Sequence, residues 1–174
     1  MECLAIESIG RLANYNHTVV KSPAQYFRAG VGAVIINADG FVLALTRSDI
    51  PNAWQMPQGG LKASESLLAG VFREVQEETG ISKSHLEVVD TYPEPLAYEL
   101  PREVWSSKTG RGQVGYWFLL RFHGTDSAID LKNSTEFSSW RWVPFDHLLT
   151  NVVDFKKQVY QHLNDRFRPH FTAS

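Results

Sequence analysis

Apolar residues recur along this chain at two different spacings, and the change from one to the other marks its elements. From Phe27 to Asn37 the chain is rich in valine and isoleucine; "NADG" follows at 37–40, and then the second apolar run, "FVLALTR". Two β-rich runs about an Asp-Gly turn predict a β-hairpin. Pro51, Pro57, Gly59 and Gly60 punctuate "SDIPNAWQMPQGG", which reads as loop. From about Glu65 to Thr79 the spacing becomes helical, near 100° per residue. Leu67, Leu68, Val71, Phe72 and Val75 cover one arc, while Arg73, Glu74, Glu77 and Glu78 fall mostly on the other. Gly80 suits the left-handed residue that ends a helix.

Beyond it, "LEVVDTY" predicts a strand and residues 93–113 a long irregular connection, of a length that is usually functional or mobile. "VGYWFLLRFHG" and "SSWRWVPF" read as aromatic-rich strands. The closing segment "VVDFKKQVYQHLNDRF" is apolar at Val152, Val153, Phe155, Val159, Leu163 and Phe167, a helical period. Strands interleaved with two helices predict an α/β (α+β) sandwich, with the sheet between the helices.

A chain of 174 residues suits one domain, expected over 28–170, with residues 1–27 an N-terminal extension of unknown role. The net charge of −2 provides no global positive field for nucleic acid or an anionic membrane, so a polyanionic substrate must be met by local cations or a metal. The single cysteine, Cys3, cannot close an internal disulfide. No run approaches the roughly 18 apolar residues of a membrane span, and the N-terminus lacks a signal-type apolar core. A cytoplasmic protein is expected, with no membrane and no protein partner.

The chemistry concentrates in the acidic helix. Like charges three and four residues apart repel, yet Glu74, Glu77 and Glu78 crowd one end of it. A solvated face with pairs such as Arg73–Glu77 is the ordinary explanation. The alternative is a cradle for a hard divalent cation, which takes carboxylate oxygens together with substrate phosphates. A glycine–proline loop immediately before the helix, where bare backbone can approach a ligand, favours the second.

Gly59, Glu65 six residues on, Arg73-Glu74, Val75, Glu77-Glu78, Gly80 and Ile81 resemble the full signature box of the Nudix hydrolases. The resemblance implies a Nudix-type α/β/α sandwich with a mixed sheet and a carboxylate-bearing box helix. It also implies Mg²⁺ or Mn²⁺ dependence and cleavage of a nucleoside diphosphate linked to another moiety. By the same resemblance Glu74, Glu77 and Glu78 are metal ligands, one of the three serving as base. The Gly59 carbonyl is a further ligand, and Glu65 and Arg73 form the salt bridge that orients the box.

The likeness extends from Phe27 to Phe167. "YFRAGVGAVI", "AYELP", "EFSSWRWV" and "VVDFKKQVY" are similar to the branch of bacterial RNA 5′-pyrophosphohydrolases and plant-type asymmetric diadenosine tetraphosphate hydrolases. That branch implies a further metal ligand at Glu136, here preceded by Thr135 in place of proline. It also implies phosphate contacts for Arg28 and Arg47, base stacking for Tyr98, and base and phosphate binding at Phe155 and Lys156. For several of these the bland alternatives stand: Phe155 as part of the core, Tyr98 as a loop anchor, Arg47 paired with Asp49 or a glutamate. The branch's lysine before "WFLL" is replaced by Tyr116, leaving Lys108, Arg111 or Arg121 as substitutes. The scattered histidines, at 17, 85, 123, 147, 162 and 170, are assigned to structure or surface. The expected substrate is a 5′-triphosphate RNA end or a dinucleoside polyphosphate such as diadenosine tetraphosphate. The alternatives are a non-catalytic nucleotide-binding module or a broader hydrolase of nucleoside diphosphate derivatives.

Overall fold

Strand β1 (Phe27–Ile36) sorts its side chains by parity. Val31, Ala33 and Ile35 enter one apolar cluster; Val34 and Ile36 enter the other, as alternating strand geometry requires. A strand buried on both faces belongs at the centre of a sheet, with a helical layer on each side. The computed structural model, which describes residues 26–171, has that arrangement. The extension expected at 1–27 lies outside the described residues except for its last two.

Running from β1, the strands are β2 (Val42–Arg47), β3 (Trp54–Gln55), β4 (Gln58–Gly60), β5 (Leu86–Thr91), β6 (Leu96–Glu99), β7 (Gly112–Phe122) and β8 (Phe137–Val143). They form one mixed sheet with a central path β3-β2-β1-β7-β5, to which β4, β6 and β8 add. Strand β1 pairs in parallel with β7 over its whole length, while β2 and β4 run antiparallel to β1. The turn between β1 and β2 is the expected hairpin: the Asn37 side-chain oxygen accepts from the backbone N–H of Asp39 and Phe41.

Helix α1 (Leu67–Thr79) packs Val71, Phe72 and Val75 on one face of the sheet. On the other face lie α2 (Phe145–Asn151) and α3 (Lys157–Phe167), through Leu148, Val159, Tyr160, Leu163 and Phe167. Gly80 caps α1 in the left-handed region at φ 75°, its N–H bonded to the Gln76 carbonyl.

Four expectations are corrected. The stretch 48–60 is not all loop: β3 and β4 lie within it, because "QGG" pairs with β1 from Gly30 to Gly32. The connection 93–113 contains β6, which pairs with β7. Helix α1 starts after Glu65, since Ser66 caps it by accepting from the Ala69 N–H. Leu67 and Leu68 consequently sit on the open first turn, 37% and 40% exposed, and are not on the core face. The final helix is shorter than its apolar period, as Val152 and Val153 fall in a break between α2 and α3. Three α-helices are therefore present among the described residues where two were expected.

One contact ties the α3 layer to the segment that carries Gly59. The backbone N–H of Met56 donates to the Tyr160 hydroxyl at 2.8 Å, fully buried. Tyr160→Phe leaves that N–H without a partner, an expected loss of about 1–3 kcal/mol. Thermal denaturation should show the midpoint falling by roughly 2–4 °C per kcal/mol. An unchanged midpoint would mean that this bond does not anchor the segment.

Candidate active site

The site is built where β4 runs into the loop before α1. Arg73 lies on the solvent side of α1 but turns back toward that loop. Its Nε donates to Glu65 Oε1 at 2.8 Å and its Nη2 to Glu65 Oε2 at 2.8 Å and to the Gly60 carbonyl at 2.9 Å. Its Nη1 donates to Glu74 at 2.7 Å and Glu77 at 3.1 Å. Hydrogen bonding to Arg73 holds the Glu65 carboxyl down at about 2, and the same bonds push the guanidinium pKa up. The Glu65–Arg73 pair read from the box is thus present, and Arg73 also clamps two of the three crowded carboxylates.

The third behaves differently. Glu78 is buried, 8% exposed, contrary to its place on the polar arc of the helical wheel. Burial pushes its carboxyl well above the ordinary value, opposed by the hydrogen bond its Oε2 accepts from the Gln58 N–H at 3.0 Å. Glu136 and Glu74 are near enough to raise it further. Among the described residues Glu78 has no salt bridge. A carboxylate desolvated next to like charges is costly unless a cation compensates it.

The two glycines of "QGG" make room for this arrangement. A methyl group at Gly59 would collide with the Glu74 carboxylate, and one at Gly60 with the Arg28 guanidinium. The backbone of β4 is therefore sandwiched between an anion and a cation. The Gly59 carbonyl oxygen lies against Gly30, where a methyl would also crowd it.

The facing wall is cationic. Arg47 binds Asp49 through Nε and Nη2, both at 2.7 Å, and reaches Glu136 at 3.4 Å. Arg28 is exposed, and its side chain makes no hydrogen bond or ion pair among the described residues. Lys156 is only 6% exposed, its Nζ donating to Gln55 at 3.0 Å and Gln58 at 3.1 Å. Burial lowers its pKa to about 8, so it stays mostly charged at neutral pH. Tyr98 is buried in the core beside Phe155, ring centroids 5.7 Å apart, and burial raises its hydroxyl to about 12. It donates to Gln113 at 2.6 Å. Tyr98 is therefore an anchored residue, with Phe155 partly buried against the same cluster.

Gln55, Gln58 and Gln113 are the site residues that sequence reasoning missed. Gln58 Nε2 reaches the Tyr98 hydroxyl at 3.2 Å and Gln113 at 3.3 Å, its Oε1 accepts from Lys156, and its backbone holds Glu78. The available signal was the position of Gln58 directly before the two glycines.

The oxygen donors fit a hard divalent cation in kind: Glu74, Glu77, Glu78 and Glu136, with Glu78 in no salt bridge among the described residues. They are not gathered as they stand. Among the described residues no three acidic, histidine or cysteine side chains are placed to hold one ion. The protein's own cations engage them instead: Arg73 on Glu74 and Glu77, Lys62 on Glu77 at 3.5 Å, Arg47 on Glu136. The described histidines join no such group; His123 pairs with Glu87 at 2.9 Å, and His17 lies outside the described residues. Tyr116, where the branch has lysine, stands level with Gly59 across β1 and packs against the α1-side cluster. Arg121 lies five residues further along β7, roughly 16 Å away, and Arg111 is paired with Glu99.

Comparisons with known proteins agree with this geometry. The family model for the NUDIX domain matches residues 26–163. The RNA pyrophosphohydrolase of Erythrobacter litoralis is 42% identical over 149 residues, 82% of this chain and 91% of that protein. Nudix hydrolase 26, chloroplastic, of Arabidopsis thaliana is 36% identical over 87% of this chain and 74% of that protein. Among solved structures, the E. coli dihydroneopterin triphosphate pyrophosphohydrolase superposes with a TM-score of 0.65 at 20% identity, covering 82% of this chain and 99% of that one. A C. elegans Ap4A hydrolase binary complex gives 0.61 at 19% identity, covering 82% and 98%. With its box, its mixed sheet and a family match across most of its length, this chain belongs to the Nudix family.

Proposed function

We propose that this protein hydrolyses nucleotide 5′-polyphosphates, with Mg²⁺ as the working metal and Mn²⁺ as a substitute, and that its principal substrate is the 5′-triphosphate end of RNA. The observation that carries the reading is the pairing of a buried carboxylate, Glu78, which has no salt bridge among the described residues, with a facing wall of cations. The carboxylate calls for a divalent ion, and the wall calls for phosphate. Family membership supports the metal requirement. The choice of RNA is supported by relatives such as the Erythrobacter protein, which match most of the chain. Dinucleoside polyphosphates present the same element, a base followed by several phosphates, and form the second substrate class. A cytoplasmic setting completes the proposal.

The ligands in this reading are Glu74, Glu77, Glu78 and Glu136, with the Gly59 carbonyl. A divalent ion held there would neutralise phosphate charge and lower the pKa of water. The chain's own residues do the rest. One of the box glutamates, released from Arg73, takes the proton of the attacking water. Arg28 offers a guanidinium fork to phosphate, and Arg47 does so once freed from Asp49. Lys156 adds a nearby positive charge from inside the wall. Arg73 and Glu65 position the box glutamates without touching substrate.

Glu77→Gln should lower release of phosphate or pyrophosphate from γ-labelled 5′-triphosphate RNA by about 10²-fold or more, with diadenosine tetraphosphate assayed in parallel. Wild-type rates in the mutant would instead favour a mechanism without the carboxylate cradle. No turnover of either substrate by the wild type would favour the non-catalytic module.

The folded-state pKa of Glu78 is raised above 4.5, so its stabilising contribution is complete below that value and is lost as pH rises through the folded pKa. In chelator at neutral pH, Glu78→Gln should therefore melt above the wild type. Added Mg²⁺ should raise the wild-type midpoint and leave that of the mutant nearly unchanged. A mutant that melts lower in chelator would show that Glu78 is already compensated.

A further inference from the structure

The three cations of the facing wall are not equivalent. The Arg28 side chain is unpaired among the described residues, and Lys156 is held by two neutral glutamine carbonyls. Arg47 alone is paired with carboxylates, and the closer of them is Asp49, two residues on. Neither the carboxylate cradle nor the core uses Asp49. We propose that Asp49 is a latch on Arg47: it competes with phosphate for the guanidinium, so that Arg47 engages a ligand anchored by several phosphates and lets go of the monophosphorylated product. The inference rests on the reading that Arg47 meets phosphate.

The backbone brings the pair together. Arg47 ends β2, whose register against β8 shifts between Thr46 and Arg47. The chain then doubles back. The Ser48 N–H donates to the Glu136 carbonyl at 2.8 Å, and the Arg47 N–H to the Ala53 carbonyl at 3.1 Å. Asn52 turns the corner in the left-handed region, φ 59°. Asp49 is thereby returned to the Arg47 side chain, where its two oxygens accept from Nε and Nη2, both at 2.7 Å. Glu136 holds only Nη1, at 3.4 Å. A guanidinium fork matches carboxylate and phosphate alike, so Asp49 occupies the edge that a phosphoryl group would take.

This contact is poorly suited to a structural role. The Asp49 side chain is 61% exposed, and Arg47 is its only side-chain partner among the described residues. Exposed ion pairs add little to stability. Its effect falls on binding instead. Hydrogen bonding to Arg47 holds the Asp49 carboxyl below its ordinary range, so the competitor stays ionised at neutral pH.

Tethered two residues away, that competitor acts at a high effective concentration. A phosphate held by nothing else competes poorly against it. One already anchored at Arg28 and beside Lys156 is tethered too, and brings more charge. Arg47 therefore changes partner only for a ligand that also occupies the rest of the wall. Once cleavage has shortened the ligand, Asp49 retakes the fork. Selectivity is built here by a competitor set against the weaker ligand.

The test uses the full chain in chelator, with a 3′-fluorescent tetraribonucleotide bearing either three 5′-phosphates or one, and reads binding by polarisation. Asp49→Asn keeps the shape of the side chain and removes its charge. It should tighten the monophosphorylated form by about 2- to 5-fold, the size of an exposed ion pair. The triphosphorylated form should gain less, and the thermal midpoint should not move. With Mg²⁺, inhibition by the monophosphorylated product should strengthen by the same factor. In an Arg47→Gln background the substitution should do nothing, which separates a latch on Arg47 from the general effect of removing one negative charge. Unchanged or weaker binding in Asp49→Asn, an equal gain on both forms, or a gain that survives Arg47→Gln would overturn the latch alone. If Arg47→Gln binds the triphosphorylated form as the wild type does, Arg47 does not meet phosphate, and that reading and the latch fall together.

Discussion

Arg73 holds the site together because its guanidinium has five N–H donors and all of them are used. Two go to Glu65 in the loop before α1, one to the Gly60 carbonyl on β4, and one each to Glu74 and Glu77 on the helix itself. A single planar group thereby joins three separate backbone segments. Lysine, a point charge with three donors, could not reproduce this fork. The repulsion implied by the crowded glutamates is relieved in the same stroke, since two of the three acids share one arginine nitrogen.

What Arg73 does not reach is Glu78, and the difference is one of burial. The helix turns Glu78 toward the sheet beside Gln58, so its charge loses water without gaining a salt-bridge partner. Desolvation disfavours the charged form of such a group. In the reading proposed above a divalent ion would balance that charge, and the same desolvation would strengthen the attraction.

The sandwich brings the two halves of the site together. The carboxylates ride on α1, on one face of the sheet, while Lys156 immediately precedes α3 on the other. They communicate around the β4 edge, where Gln58 bonds to Lys156 through its side chain and to Glu78 through its backbone. Tyr160, by accepting from the Met56 N–H, holds that same edge from below. The amides of Gln55, which is buried, and of Gln58 and Gln113, which are partly buried, thus form a polar seam beside the apolar layer, in which each contact matches a donor to an acceptor.

Much of this was legible in the chain because it depends on local spacing. The alternation along β1, the helical period ended by Gly80, the hairpin at Asn37–Gly40 and the box from Gly59 to Ile81 are all short-range patterns, with physical consequences that need no distant partner. The elements misread were those decided by distant partners. Strands β4 and β6 are too short to show a period, and exist because β1 and β7 offer them an edge. The break between α2 and α3 is hidden by apolar residues that continue across it. Helical spacing likewise placed Glu78 with its acidic neighbours. Only tertiary packing decided that it would be buried, that Tyr98 would be anchored in the core, and that Lys156 would point inward onto two glutamine carbonyls. The sequence determined which charges this protein carries and in what order. The fold decided which of them lost their water, because desolvation depends on the neighbours that packing supplies.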